Sequence, residues 1–246
     1  MSKSIDAIKV LIAANVIIAA ITFLMPGMEA FMFGKFALYF PSNEKFEYWQ
    51  LVTNMFMHGG LMHLLFNMYA LWAFGSPLEA MWGTNKFLVF YFLSGIGAGL
   101  IYTLVNYFMF NSIFQDLTST GMSSAEILST IGADQHKLSS LSDTRLIEIY
   151  QLFNTPAVGA SGAIYGVLVA FAITYPNAKL ALIFLPVPIA AKYFIPILVG
   201  LDLFSGVTGF PIFGGGIAHF AHIGGALIGF LLMWYWKSRT SSQQEY

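Results

Sequence analysis

Two short motifs limit what this chain can become more than any other feature. Gly159-Ala160-Ser161-Gly162 opens one apolar run, and Ala221-His222-Ile223-Gly224-Gly225 opens another; each run is long enough to cross a bilayer. Small residues recur four apart below each motif: Gly162 and Gly166 in the first run, Gly225 and Gly229 in the second. That spacing lets two membrane helices approach until their backbones nearly touch. The approach carries Ser161 towards His222, a nucleophile and a base set inside a membrane.

Composition agrees with that setting. Of the 246 residues, 57% are hydrophobic and 9% charged, whereas soluble domains carry about a quarter charged residues. A formal net charge of −1 argues against nucleic acid as a partner. With no cysteine, disulfides, thiolate catalysis and zinc–cysteine sites are excluded. The first apolar run exceeds the roughly 7–15 residues of a signal-peptide core. It ends in Met25-Pro26-Gly27-Met28, a poor cleavage site, and so reads as a retained helix.

A spanning helix needs about 20 mostly apolar residues. Six stretches qualify, at about 7–25, 61–81, 86–109, 158–175, 192–207 and 217–236. The expected fold is an all-α polytopic membrane protein with six spans in one domain, 1–246. Lys3, Lys9, Lys86, Lys179, Lys192, Lys237 and Arg239 fall on one side, and Lys35, Lys45, Lys137 and Arg145 on the other. Positive residues favour the inside, so both termini are expected to be cytoplasmic. The aromatic-rich stretch 26–60 is then an outer loop at the interface. Residues 110–157 are polar, and a small helical extracytoplasmic insert is expected there. Ser123 with Glu126 reads as a capping box, and Leu146, Ile149, Tyr150 and Phe153 share one face of a second helix. Residues 176–191, broken by Pro176, Pro186 and Pro188, are expected to turn back at the interface without crossing.

In this topology the fourth and sixth spans both enter from the outer side. Ser161 and His222 then lie at one depth, although 222 − 161 = 61 residues separate them. A neutral imidazole is the usual base for a serine. Tyr165, one turn beyond Ser161, is placed to pack on that ring. His63 and Asn67 share a face of the second span. With the Ser161 backbone N–H they offer donors to a tetrahedral oxyanion, each such donor contributing about 3–4 kcal/mol in catalysis.

Singly, each of these residues has an ordinary reading. A membrane serine usually bonds back to its own helix, a lone histidine is often a packed polar group, and small residues four apart occur throughout polytopic proteins. It is their combination at one depth that points to function, because lipid penalises polar groups within a span. No His-Glu-x-x-His motif suggests a metal, and no paired aspartates suggest a carboxylate protease. His58 and His219 read as structural or proton-network groups, and His136 as solvated. Asp202 could orient His222 but reads first as a satisfied polar group. Glu79, with Trp82 and Gly83, looks structural, and Asn15 suits an interhelical hydrogen bond. Gly206, Gly209 and Gly214-Gly215-Gly216, with Phe210 and Phe213, suggest a mobile cap over Ser161.

Together these residues resemble the rhomboid intramembrane serine proteases. The match lies in Gly159-Ala160-Ser161-Gly162 with Tyr165, Ala221-His222 with Gly225 and Gly229, and His63-x-x-x-Asn67; His58, Glu79 and Trp49 also fit. Gln50 follows Trp49 where the family often has arginine, and the 110–157 insert exceeds the minimal family form. The resemblance implies a six-helix rhomboid-type bundle, a Ser161–His222 dyad, no cofactor, and cleavage of transmembrane protein substrates near the outer face. It also implies that the fifth helix and the cap loop move to admit substrate. The expected setting is a prokaryotic plasma membrane. Two rivals are a non-proteolytic rhomboid-like escort of membrane proteins, which would be expected to lack the dyad, and a small transporter. The transporter reading needs midplane polar groups or a repeat, and neither is present. Oligomeric state is not legible in the sequence.

Overall fold

Glycine, proline and the apolar runs between them set the helix boundaries. The computed structural model describes residues 6–133, 143–182, 185–210, 212 and 218–242. Gly214, Gly215, Gly216 and Phe213 of the expected cap, and His136, lie outside the described residues.

Helix α1, Ala7–Leu24, turns Ile8, Leu11, Asn15 and Ala19 inward. Its first amides are satisfied from a distance: Glu79 accepts from the backbone N of Ala7 at 2.5 Å and of Ile8 at 3.1 Å. A carboxylate there meets both the unpaired N–H groups and the positive end of the helix dipole. Asn15 does not reach another helix as its donor; its Nδ2 gives a hydrogen bond to the Leu11 carbonyl at 2.8 Å. Ser/Thr/Asn side chains readily back-bond in this way.

The first loop holds α2, Met28–Phe36, and α3, Gln50–Thr53, which runs into a single 3₁₀ turn, Asn54–Phe56. Buried Gln50 ties the loop together. Its Oε1 accepts from Tyr39 N at 3.2 Å, and its Nε2 donates to the Lys45 carbonyl at 2.7 Å. A neutral amide thus does the anchoring where the resemblance suggests a cation.

The second long helix comes in three segments: α4, Leu61–Ala70; a π turn, Leu71–Gly75; and α5, Ser76–Trp82. Pro77 lacks an N–H and crowds the preceding turn, which the wider π turn accommodates. Helix α6, Thr84–Ser119, runs 36 residues. It takes in the first ten residues of the expected insert, because neither glycine nor proline interrupts 100–120. Then α7, Ser124–Ile131, starts on the Ser123–Glu126 capping box, and α8 covers Thr144–Asn154. Leu117, Ile127, Ile131, Leu146 and Ile149 form a small core of their own. Phe40 of the first loop packs on Phe110 and Phe153, with ring centroids 4.9 and 5.6 Å away.

Helix α9, Ser161–Thr174, is the central element and is buried along most of its length. It packs on α6, on α10 (Ala191–Thr208) and on α11 (His219–Ser242). The stretch before α10 does turn back, as an antiparallel hairpin of β1 (Lys179–Leu182) and β2 (Leu185–Ala190). The bundle's outer surface is apolar, with Ile17, Phe66, Phe204 and Phe230 all exposed. Among the described residues, three helices, Ala7–Leu24, Thr84–Ser119 and Ala191–Thr208, are long and apolar enough to cross a membrane by length and composition.

Candidate active site

The glycines on α9 and α11 bring the two helices into backbone contact. A methyl group at Gly225 would overlap the carbonyl of Gly162, and one at Gly229 would stand 2.5 Å from the Gly166 Cα. Ser161, the first residue of α9, thereby meets His222 in the first turn of α11. The Ser161 Oγ lies 2.8 Å from the His222 Nε2. Tyr165 stacks on the imidazole, with ring centroids 4.2 Å apart and 11° between planes.

Behind the imidazole stands Asp202, on α10. Its Oδ2 lies 3.3 Å from the His222 Nδ1 and also receives the Tyr165 hydroxyl; its Oδ1 lies 2.5 Å from the His219 Nδ1. The residue is 1% exposed, so these three contacts replace the water that burial removes. In sequence Asp202 reads first as a satisfied polar group and only second as a residue that orients His222. The signal for more was present: a carboxylate in an apolar helix, followed by two histidines one turn apart.

The approach to Ser161 is built by glycine. Gly159 has φ +122°, a region that L side chains rarely adopt, and a methyl there would stand 2.8 Å from the His63 Nε2. Its N–H donates to the Asn54 carbonyl at 2.9 Å. Just before it, Ala157 pairs with Leu38 in an isolated bridge, which ties this segment to the first loop. Ser161 also opens a helix, so its own N–H has no intrahelical acceptor and is available to an anion.

His63 and Asn67 are placed differently. The Gly59 N–H donates to the His63 Nδ1 at 3.3 Å, which leaves the proton on Nε2, the nitrogen nearest Gly159. Asn67 lies one turn further along and gives an Nδ2 hydrogen bond to the His63 carbonyl at 2.8 Å. It therefore braces the turn that carries His63. His58 is buried and sits edge-on to His63, with ring centroids 5.1 Å apart. Burial, and then His63 beside it, pushes the His58 imidazole down to about 4, so that it is neutral near pH 7. No group of three or more metal-binding side chains occurs among the described residues.

A family profile described as the Rhomboid domain matches residues 45–239. The chain belongs to the rhomboid family. It is 31% identical over 238 residues to presenilin-associated rhomboid-like protein A, mitochondrial, of Danio rerio, covering 96% of this chain and 48% of the relative. It is 27% identical over 195 residues to rhomboid protein 1, mitochondrial, of Saccharomyces cerevisiae (79% and 44%). Over 87 residues it is 34% identical to the rhomboid protease GluP of Bacillus subtilis (35% and 15%). The chain thus spans about half the length, or less, of these relatives.

The comparisons correct one expectation. The Danio rerio and Saccharomyces cerevisiae relatives, which match 96% and 79% of this chain, are eukaryotic and mitochondrial by name, which overturns a prokaryotic plasma membrane with cytoplasmic termini. The reason is physical: the distribution of Lys and Arg orients spans relative to one another but does not say which membrane holds them. Integration in a membrane stands.

Proposed function

We propose that this rhomboid is an intramembrane serine endopeptidase that hydrolyses peptide bonds of transmembrane proteins, with six helices crossing the bilayer. Cleavage takes place near the membrane face where Ser161 lies. The mitochondrial relatives support a mitochondrial membrane as its setting. One observation carries the reading: a serine hydroxyl 2.8 Å from an imidazole nitrogen, at a helix N-terminus within an apolar bundle.

In this mechanism the Ser161 Oγ attacks the substrate carbonyl while its proton passes to the His222 Nε2. The tetrahedral oxyanion accepts from the Ser161 N–H and the His63 Nε2–H, with Asn67 holding the turn below. The C–N bond breaks as His222 returns the proton to the leaving amine. Water then adds to the acyl-enzyme, again giving its proton to His222, and Ser161 is regenerated. No cofactor takes part. An escort protein without activity has no need of an aligned serine and histidine, which weighs against that rival.

The test uses the full chain in proteoliposomes with a single-span substrate. The wild type is expected to release two fragments, and folded Ser161→Ala and His222→Ala none. Turnover by purified Ser161→Ala at the wild-type rate would refute the assignment.

A further inference from the structure

The Ser161–His222 pair leaves three neighbouring polar groups unexplained: Asp202, His219 and the Tyr165 hydroxyl. We propose that Asp202 is a positioning residue that holds the His222 imidazole by its Nδ1, with His219 as the second anchor of the same carboxylate. This deepens the protease reading and rests on it.

Each element follows from the hydrogen-bond network. An ionised carboxylate only accepts, so a His222 Nδ1 facing Asp202 Oδ2 at 3.3 Å carries the hydrogen. The His222 Nε2 is then unprotonated, as a base for Ser161 must be. The other carboxylate oxygen is taken by His219 at 2.5 Å, and the Tyr165 hydroxyl fixes the first oxygen from the side. Held from three directions, the carboxylate cannot swing away from the imidazole. Its negative charge also favours the imidazolium that forms when Ser161 gives up its proton.

The three partners come from two helices, α9 and α11, while Asp202 comes from a third, α10. One residue therefore registers α10 on both helices of the reacting pair, at the level of the serine. A purely structural role would do the same, and the substitution Asp202→Asn separates the two. Asparagine can keep all three contacts, with its carbonyl towards Tyr165 and His222 and its amide towards the His219 Nδ1. What it loses is the charge.

Two measurements on the full chain in detergent test the proposal. The first is ¹⁵N NMR of histidine-labelled wild type, with His222 assigned by comparison with His222→Gln. The expected result is protonated Nδ1 and unprotonated Nε2. The opposite tautomer, or an even mixture, overturns the proposal whether or not the protein cleaves anything. The second is cleavage kinetics of Asp202→Asn, where kcat is expected to fall about 10- to 100-fold, with KM within about twofold and an unchanged unfolding temperature. Near-wild-type kcat in a folded variant rejects the positioning role and leaves the protease reading intact. If Asp202→Asn does not fold, the wild-type tautomer decides alone.

Discussion

The Tyr165 ring lies 4.2 Å from that of His222 and nearly parallel to it, and the same tyrosine gives its hydroxyl hydrogen to Asp202. The imidazole is thus restrained both across its face and along its edge. The two restraints can be separated by mutation. Tyr165→Phe keeps the stack and loses one hydrogen bond; it is expected to cost about 1 kcal/mol of stability and only a few-fold in cleavage. Tyr165→Ala removes the ring from a buried site, at about 3–5 kcal/mol, and is expected to lower cleavage at least a hundredfold. Equal losses in the two variants would show that stacking does not matter.

The contact between α9 and α11 leaves no room for a side chain. Gly225→Val is expected to force the helices apart and abolish cleavage, since the added atoms meet the Gly162 backbone, which cannot rotate away. Gly200 has nothing within 4 Å of where a methyl group would stand, so Gly200→Ala should leave activity and unfolding temperature unchanged. Thermal unfolding in detergent, read beside cleavage, checks both.

Glu79 caps α1 across 72 residues of sequence, and also accepts from Thr84 Oγ1 at 2.9 Å. Glu79→Ala leaves the first amides of α1 without their acceptor and is expected to destabilise the protein by about 1–3 kcal/mol. Unfolding by denaturant in mixed micelles measures this. An unchanged midpoint would mean that solvent replaces the carboxylate fully.

His58 confers a pH dependence of stability. Its imidazole titrates near 4 in the folded chain, below its usual value of 6.5, because burial opposes the charged form. The unfolded chain therefore binds the proton more tightly. Stability from this group is complete above about pH 6.5 and declines as pH falls towards 4, by roughly 3 kcal/mol in all. His58→Gln is expected to flatten that part of the unfolding-temperature profile between pH 7 and 4. Parallel profiles for the two proteins would contradict it.

Much of this was legible in sequence because it depends on local pattern. The apolar runs between Gly and Pro located the long helices. Ser123 and Glu126 announced their capping box, and the paired glycines brought Ser161 to His222. Other features depend on contacts that no local pattern encodes. That Asp202 meets Tyr165 and His219 as well as His222 appears only when α10 lies against α9 and α11, and Glu79 becomes a cap only when α1 docks beside it. The extension of α6 to Ser119 was hidden for a different reason. Its polar residues look like loop, yet they merely face away from Leu117 and the small core below. Asn15 shows the reverse error, with a bond expected between helices and found within one.

The central claim is that Ser161 is a nucleophile activated by His222. Labelling of the purified protein with a fluorescent fluorophosphonate tests it most directly, with Ser161→Ala and His222→Ala alongside. The expected result is a labelled wild type, with both variants, equally folded, unlabelled. A folded wild type that takes no label, or a Ser161→Ala variant that labels as well as the wild type, would contradict the claim.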